Sequence, residues 1–200
     1  MTSDLNVSRE TLNRLELFHG LLKKWNTKIN LVSKSSISDA WERHINDSLQ
    51  VYHHAGDEIV WSDIGSGGGL PGLVVAILAK EFHPDRHVTM VESDIRKSTF
   101  LRTVIRELDL KASVLVSRIE QTTPMSAEIL SARALADLDQ LLRYAEIHLT
   151  PSGRAFFFKG ETWEKEVETA RKSWSFDLVA HKSKTNPNAA ILEVKDIHLV

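Results

Sequence analysis

The chain has no cysteine. That absence removes disulfide frameworks, Cys-based zinc sites, iron–sulfur clusters and thiolate nucleophiles together. Long apolar runs are lacking too. No stretch approaches the ~20 residues that span a bilayer, and the first residues are too polar for a signal peptide, so a soluble, cytoplasmic protein without membrane contact is expected. There is also no surplus of one charge. Twenty-five Lys and Arg stand against 27 Asp and Glu, a net charge of -2, so contact with nucleic acid has to come from a local patch. None of the nine His falls in an HExxH or comparable spacing, and no metal is expected. What remains, 200 residues of which 42% are hydrophobic, is enough for one generous core.

There is no internal repeat and no Pro/Gly linker. Leu12, Leu15, Phe18, Leu21, Leu22 and Trp25 recur at three- and four-residue intervals and predict an amphipathic helix with Ser8 as its N-cap. A second helix is predicted over residues 38–53, with Trp41, Ile45, Leu49 and Tyr52 on one face. From residue 58 short apolar strands alternate with helices. Strands are predicted at 59–64, 88–91, 112–116, 128–131, 154–158, 176–181 and 190–194. Helices are predicted at 73–82, 95–108, 135–149 and 163–174. The alternation argues an α/β protein, a parallel sheet covered on both faces, with an antiparallel hairpin turning at Thr185-Asn186-Pro187-Asn188. The expected division is a helical extension over 1–56 and an α/β domain over 57–200.

The sharpest local feature is Asp63-Ile64-Gly65-Ser66-Gly67-Gly68-Gly69-Leu70-Pro71-Gly72, between a strand and a helix. Glycines permit a tight turn and let backbone N–H groups approach a ligand. No Lys-Ser/Thr pair follows, which excludes a P-loop. Gly67-x-Gly69-x-x-Gly72 matches the dinucleotide fingerprint formally, so a dinucleotide-binding module stays open. Asp63, however, ends the strand. Its carboxylate would repel pyrophosphate and suits a ligand with positive charge, such as the amino group or sulfonium of S-adenosylmethionine. Glu92 ends the second strand about twenty residues beyond the loop, where a carboxylate accepts ribose hydroxyls. Arg118-Ile119-Glu120 ends the third strand, where an adenine would meet the Ile119 backbone and the Glu120 carboxylate.

These residues, together with several blocks around them, resemble the bacterial glucose-inhibited division protein B family, the 16S ribosomal RNA guanine-N7 methyltransferases. The blocks are Trp25-Asn26, Ile29-Asn30-Leu31, His44-Ile45-Asn46-Asp47-Ser48, Glu92-Ser93, Phe100-Leu101, Ser131-Ala132-Arg133-Ala134 and Lys159-Gly160. The resemblance covers most of the chain. It implies a class I S-adenosylmethionine-dependent methyltransferase: a Rossmann-like, mostly parallel seven-stranded sheet with a C-terminal antiparallel hairpin and an N-terminal helical extension. It also implies S-adenosylmethionine as methyl donor and 16S ribosomal RNA as partner, alone or within the 30S subunit; a monomer is expected. Family donor contacts fall on Gly65, Leu70, Ile119, Glu120 and Arg133. The chain departs from the family at Leu70, usually a larger aromatic, at Ile119, usually Ala, and at Arg96, usually Lys.

The chemistry agrees with a ring nitrogen as acceptor. Guanine N7 has an in-plane lone pair and no proton, so its methylation needs alignment rather than a general base. Cytosine C5 methylation would need the absent thiolate. Asp47 and Asp63 are candidates for balancing the charge that forms on the purine, and His44 is a candidate base for which this chemistry has no need. Arg96, Lys97, Arg118, Arg133 and Lys159 lie near strand ends and could grip backbone phosphates. Lys23, Lys24, Lys28 and Lys34 read equally as RNA contacts or a solvated face, while Trp25 and Trp41 read as core. The alternative reading is a class I methyltransferase with another substrate.

Overall fold

The computed structural model describes residues 7–33 and 41–200. Lys34 and the first residues of the second expected helix lie outside them. Helix α1 (Arg9–Asn26) starts where predicted. The Ser8 hydroxyl accepts the Thr11 amide at 3.2 Å, and Leu15, Phe18 and Leu22 are buried. The second helix is not uniform. Trp41–Ile45 is a π-helical turn and α2 (Asn46–His54) follows it. Such wide turns frequently mark functional sites, and this one carries His44. Trp25 and Trp41 pack against the core as expected, Trp25 with its ring centroid 5.7 Å from that of Phe100.

The sheet is built from β1 (Val60–Ile64), β2 (His87–Val91), β3 (Ala112–Leu115), β4 (Ala127–Arg133), β5 (Leu149–Lys159), β6 (Trp174–Lys182) and β7 (Ala190–Leu199). Their spatial order is β3-β2-β1-β4-β5-β7-β6. The first five run parallel, and β7 is antiparallel to both β5 and β6. Between the strands run α3 (Gly72–Phe82), α4 (Ile95–Glu107), α5 (Leu138–His148) and α6 (Trp163–Ala170). The order of elements over the described residues is the predicted one, but several boundaries move. β7 runs five residues beyond its expected end, to Leu199, and three other shifts have local reasons. β5 begins at Leu149, because Thr150-Pro151-Ser152-Gly153 reads as a turn yet lies within the strand at a register shift against β4. α5 begins later, after the Asp137 carboxylate caps the Gln140 amide at 2.9 Å. α6 ends earlier, because Trp174 opens β6 and its indole donates to Asp139 at 2.8 Å.

Two apolar cores flank the sheet. One joins Leu15, Phe18 and Leu22 of α1 and Leu49 of α2 to Leu70, Leu73 and Phe100. The described residues of the expected extension, 7–33 and 41–56, therefore share a core with the sheet. The other core lies under α5, α6 and the β6–β7 hairpin.

Candidate active site

Strand register brings the predicted site residues to one edge. Ile64 pairs with Val91 and Ala132, Val91 with Leu115, and Arg133 with Phe158. The carboxyl ends of β1 to β5 are thus level. The chain departs from β1 to β2 on one side and β4 on the other, leaving a crevice where α/β sheets bind ligands. The glycine loop closes this edge over β1. Gly65, Gly67 and Gly69 have φ of 64°, 51° and 78°, which only glycine adopts readily. A Cβ on Gly72 would lie 2.8 Å from both Asp63 Oδ2 and Met90 Cγ, so this glycine lets α3 approach the sheet.

Asp63 lies behind this loop with no exposed surface. Its Oδ1 accepts the Ser131 hydroxyl at 2.7 Å, and Ser131 in turn accepts the Trp61 indole at 2.9 Å. Oδ2 is buried without a hydrogen-bond partner, and burial pushes the carboxyl up to about 6. With no exposed surface, Asp63 could act on a ligand only through the loop's electrostatics and not by touching it. Glu92 is at the expected strand end, and its oxygens already accept the Gly67 amide and the Asp94 amide, each at 2.8 Å. A carboxylate has about four acceptor sites, so Glu92 can brace the loop and still accept from a ribose. Leu70 and Ile119 are almost fully buried beside this edge. Glu120 is exposed, and the Tyr144 hydroxyl donates to it, holding its carboxyl below the usual range.

The end of β4 meets the extension. Arg133 donates to His44 Nδ1 at 2.7 Å and to the His44 carbonyl at 3.4 Å, and lies 3.5 Å from Asp47 Oδ2. Its guanidinium also covers the Phe158 ring, 5.7 Å from the centroid. Burial pushes the Arg133 pKa down, with the Asp47 carboxylate opposing. A guanidinium only donates, so His44 Nδ1 accepts and the neutral ring carries its proton on Nε2. Asp47 Oδ1 accepts from Gln50 at 3.2 Å, from Ser183 at 3.1 Å and from Thr185. Asp47, Arg133, Phe158, Ser183 and Asn186 line a cleft of about 220 Å³.

Gln50, Phe158, Ser183, Thr185 and Asn186 were not legible as site residues. The available signal was topological. An antiparallel last strand places the preceding turn at the carboxyl edge, and Lys159 does pair with Ala190. The basic candidates divide. Arg118 is exposed, Lys97 half-buried, and Arg96 exposed but 3.2 Å from Asp94. Lys23, Lys24 and Lys28 are exposed on or just after α1. Lys159 departs from the expectation of a phosphate grip. It is 9% exposed, and its ammonium is 2.6 Å from Glu166 and 2.9 Å from the Ala136 carbonyl. Among the described residues no group of three or more His, Asp or Glu could hold a metal ion, and no helix is long and apolar enough to cross a membrane.

The sheet order, the glycine loop and the level strand ends define a class I S-adenosylmethionine-dependent methyltransferase. The fold is similar to that of a TehB-like SAM-dependent methyltransferase from Corynebacterium glutamicum (TM-score 0.61, 13% identity, 90% of this chain and 98% of that one). It is equally similar to a SAM-dependent methyltransferase from Aquifex aeolicus (TM-score 0.60, 13% identity, 88% and 97%). The family model described as rRNA small subunit methyltransferase G matches residues 11–192. Relatives named ribosomal RNA small subunit methyltransferase G include one from a Ruegeria species, 53% identical over 98% of this chain and 96% of its own length. Another, from Paracoccus denitrificans, is 52% identical over 95% and 97%. The chain belongs to the rRNA small subunit methyltransferase G family, as the sequence blocks imply. The dinucleotide reading of Gly67-x-Gly69-x-x-Gly72 is thereby corrected. The residues present fit S-adenosylmethionine, because an unpartnered carboxylate oxygen buried behind the loop favours a ligand carrying positive charge.

Proposed function

We propose that this protein methylates N7 of a guanine in 16S ribosomal RNA, as a cytoplasmic monomer and without an obligatory general base. The observation that carries this reading is the bond from Arg133 to His44 Nδ1. With Nδ1 accepting and the proton on Nε2, neither ring nitrogen is a free proton acceptor. His44 serves instead to orient Arg133. Guanine N7 carries no proton, so its methylation needs no base from His44.

Gly65, Gly67, Leu70, Glu92, Ile119 and Glu120 would hold S-adenosylmethionine, which supplies an electrophilic methyl group on a positively charged sulfur. The cleft beside Arg133 is the seat for the acceptor base. There Asp47, rather than the fully buried Asp63, offers a carboxylate to offset charge developing on the purine. Lys97, Arg118 and Arg96, with Lys23, Lys24 and Lys28 on the extension, would meet RNA phosphates. Small-subunit ribosomal RNA, the substrate that the family name gives, fits a protein with exposed Lys and Arg near strand ends and on the extension despite a net charge of -2.

Single-turnover methyl transfer across pH, at saturating donor and RNA, tests the mechanism. Direct displacement gives a nearly flat rate from about pH 6 to 9, with His44→Gln keeping much of it. A rate that falls through ~6.5 and is abolished by His44→Gln would make His44 a base and reopen the acceptor atom.

A further inference from the structure

Between β4 and α5 the chain crosses the active-site edge in a short loop that touches both halves of the site. Ala134 lines the cleft beside Arg133. Leu135 lies directly on the glycine loop, where a Cβ added to Gly65 would come within 2.5 Å of Leu135 Cδ1. Asp137 caps α5 at the end of this loop, but the chain before it sits in a costly conformation. Ala134 has φ of 52°, a left-handed conformation unfavourable for a residue with a Cβ, and Leu135 is 38% exposed. Two further anchors come from β5 and α6. Lys159 donates to the Ala136 carbonyl at 2.9 Å and pairs with Glu166 Oε2 at 2.6 Å. The same Glu166 oxygen accepts the Leu138 amide at 3.0 Å. One ion pair, its Lys159 end buried and its Glu166 end partly exposed, therefore grips the loop through a carbonyl before α5 and an amide at its start.

We propose that Lys159 and Glu166 are positioning residues for methyl transfer, a clasp that fixes the Ala134–Asp137 loop so that Leu135 stays against Gly65 and Ala134 stays in the acceptor cleft. The clasp sets the donor side and the acceptor side of the site relative to each other. Lys159 is then no phosphate contact, and its charge is spent inside the protein. The inference rests on the reading that the donor sits on the glycine loop.

The test compares Lys159→Met, Lys159→Arg, Glu166→Gln and the Lys159→Met/Glu166→Gln pair in the full chain. It reads S-adenosylmethionine affinity by calorimetry, single-turnover rate, and the salt dependence of RNA binding. Thermal melting verifies folding, and Glu166→Gln, which keeps an acceptor for the Leu138 amide, is the mild variant. Lys159→Met is expected to lower the single-turnover rate about tenfold, as slight misplacement of reacting groups does. Donor affinity should fall about fivefold with loss of the charged hydrogen bond. Lys159→Arg should recover most of both, and the double variant should be no worse than Lys159→Met, since the two residues share one interaction. The salt slope should stay that of the wild type in every variant.

A salt slope lowered by about 1 in Lys159→Met, with rate and donor affinity intact, would make Lys159 a phosphate grip and overturn the clasp. So would a Lys159→Arg no better than Lys159→Met. Glu92→Ala separates the two claims. If it leaves donor affinity unchanged, the donor is not on the glycine loop and both fall. If it weakens donor binding while Lys159→Met and Glu166→Gln do not, the clasp alone falls.

Discussion

The burial of Asp63 has a cost that depends on pH. Desolvation pushes its carboxyl up to about 6 from an ordinary 3.8, although Ser131 donates to one oxygen. The folded state therefore binds the Asp63 proton more tightly than the unfolded chain does. Between pH ~4 and ~6 the folded state holds more protons, so stability from this group falls as pH rises through that window. Above it, the buried charge costs on the order of 2–3 kcal/mol. Asp63→Asn keeps an oxygen for Ser131 and removes the charge. Relative to wild type it should gain stability between pH 4 and pH 7 while losing donor affinity. Thermal melts across pH measure the first and calorimetry the second. A stability difference independent of pH would show that Asp63 does not titrate in this range. The sequence gives Asp63 as a strand-end acid beside glycines. It does not reveal the burial, because that depends on Ser131 arriving from a strand 68 residues away.

At the scale of elements, the β6–β7 turn is latched to α2 through Asp47. Ser183 and Thr185 donate to Asp47, and the Lys184 amide donates to Gln50 at 3.0 Å. Asp47→Ala removes the acceptor for both hydroxyls and the carboxylate facing Arg133. A loss of about 2 kcal/mol in stability is expected, the scale for stranding a partly buried charged partner. Amide exchange in residues 183–189 should quicken and RNA affinity should fall. Unchanged exchange there would mean the turn is held by its own bonds, such as Asn188 to Asn186 at 3.0 Å.

This latch marks where sequence reading stops. The succession of strands and helices follows from apolar periodicity, and Ser8, Asp63 and Glu92 stand at the ends that periodicity defines. The turn at Thr185-Asn186-Pro187-Asn188 is legible as a turn, but its place in the site depends on β7 inserting antiparallel beside β5. The surroundings of Lys159 are illegible for a similar reason. A basic residue at a strand end looks available to phosphate until α6 folds Glu166 over it.

Across the whole molecule, the extension and the sheet form one machine. A Cβ on Gly68 would lie 3.2 Å from the Leu31 carbonyl and 3.4 Å from Leu22, so the extension backs the donor loop directly. Asn26 fixes that contact by accepting the Leu31 amide at 2.9 Å and the Val32 amide at 3.0 Å. From the same extension, His44 and Asp47 meet Arg133 at the end of β4. The parts of the site are thus held by three regions distant in the chain, and their common product is the central claim. The direct measurement is transfer of labelled methyl from S-adenosylmethionine to naked 16S ribosomal RNA and to 30S particles from cells lacking this protein, followed by nucleoside analysis. The account predicts label in 7-methylguanosine with at least one of the two substrates. Label in another nucleoside, or none in either RNA, would contradict it.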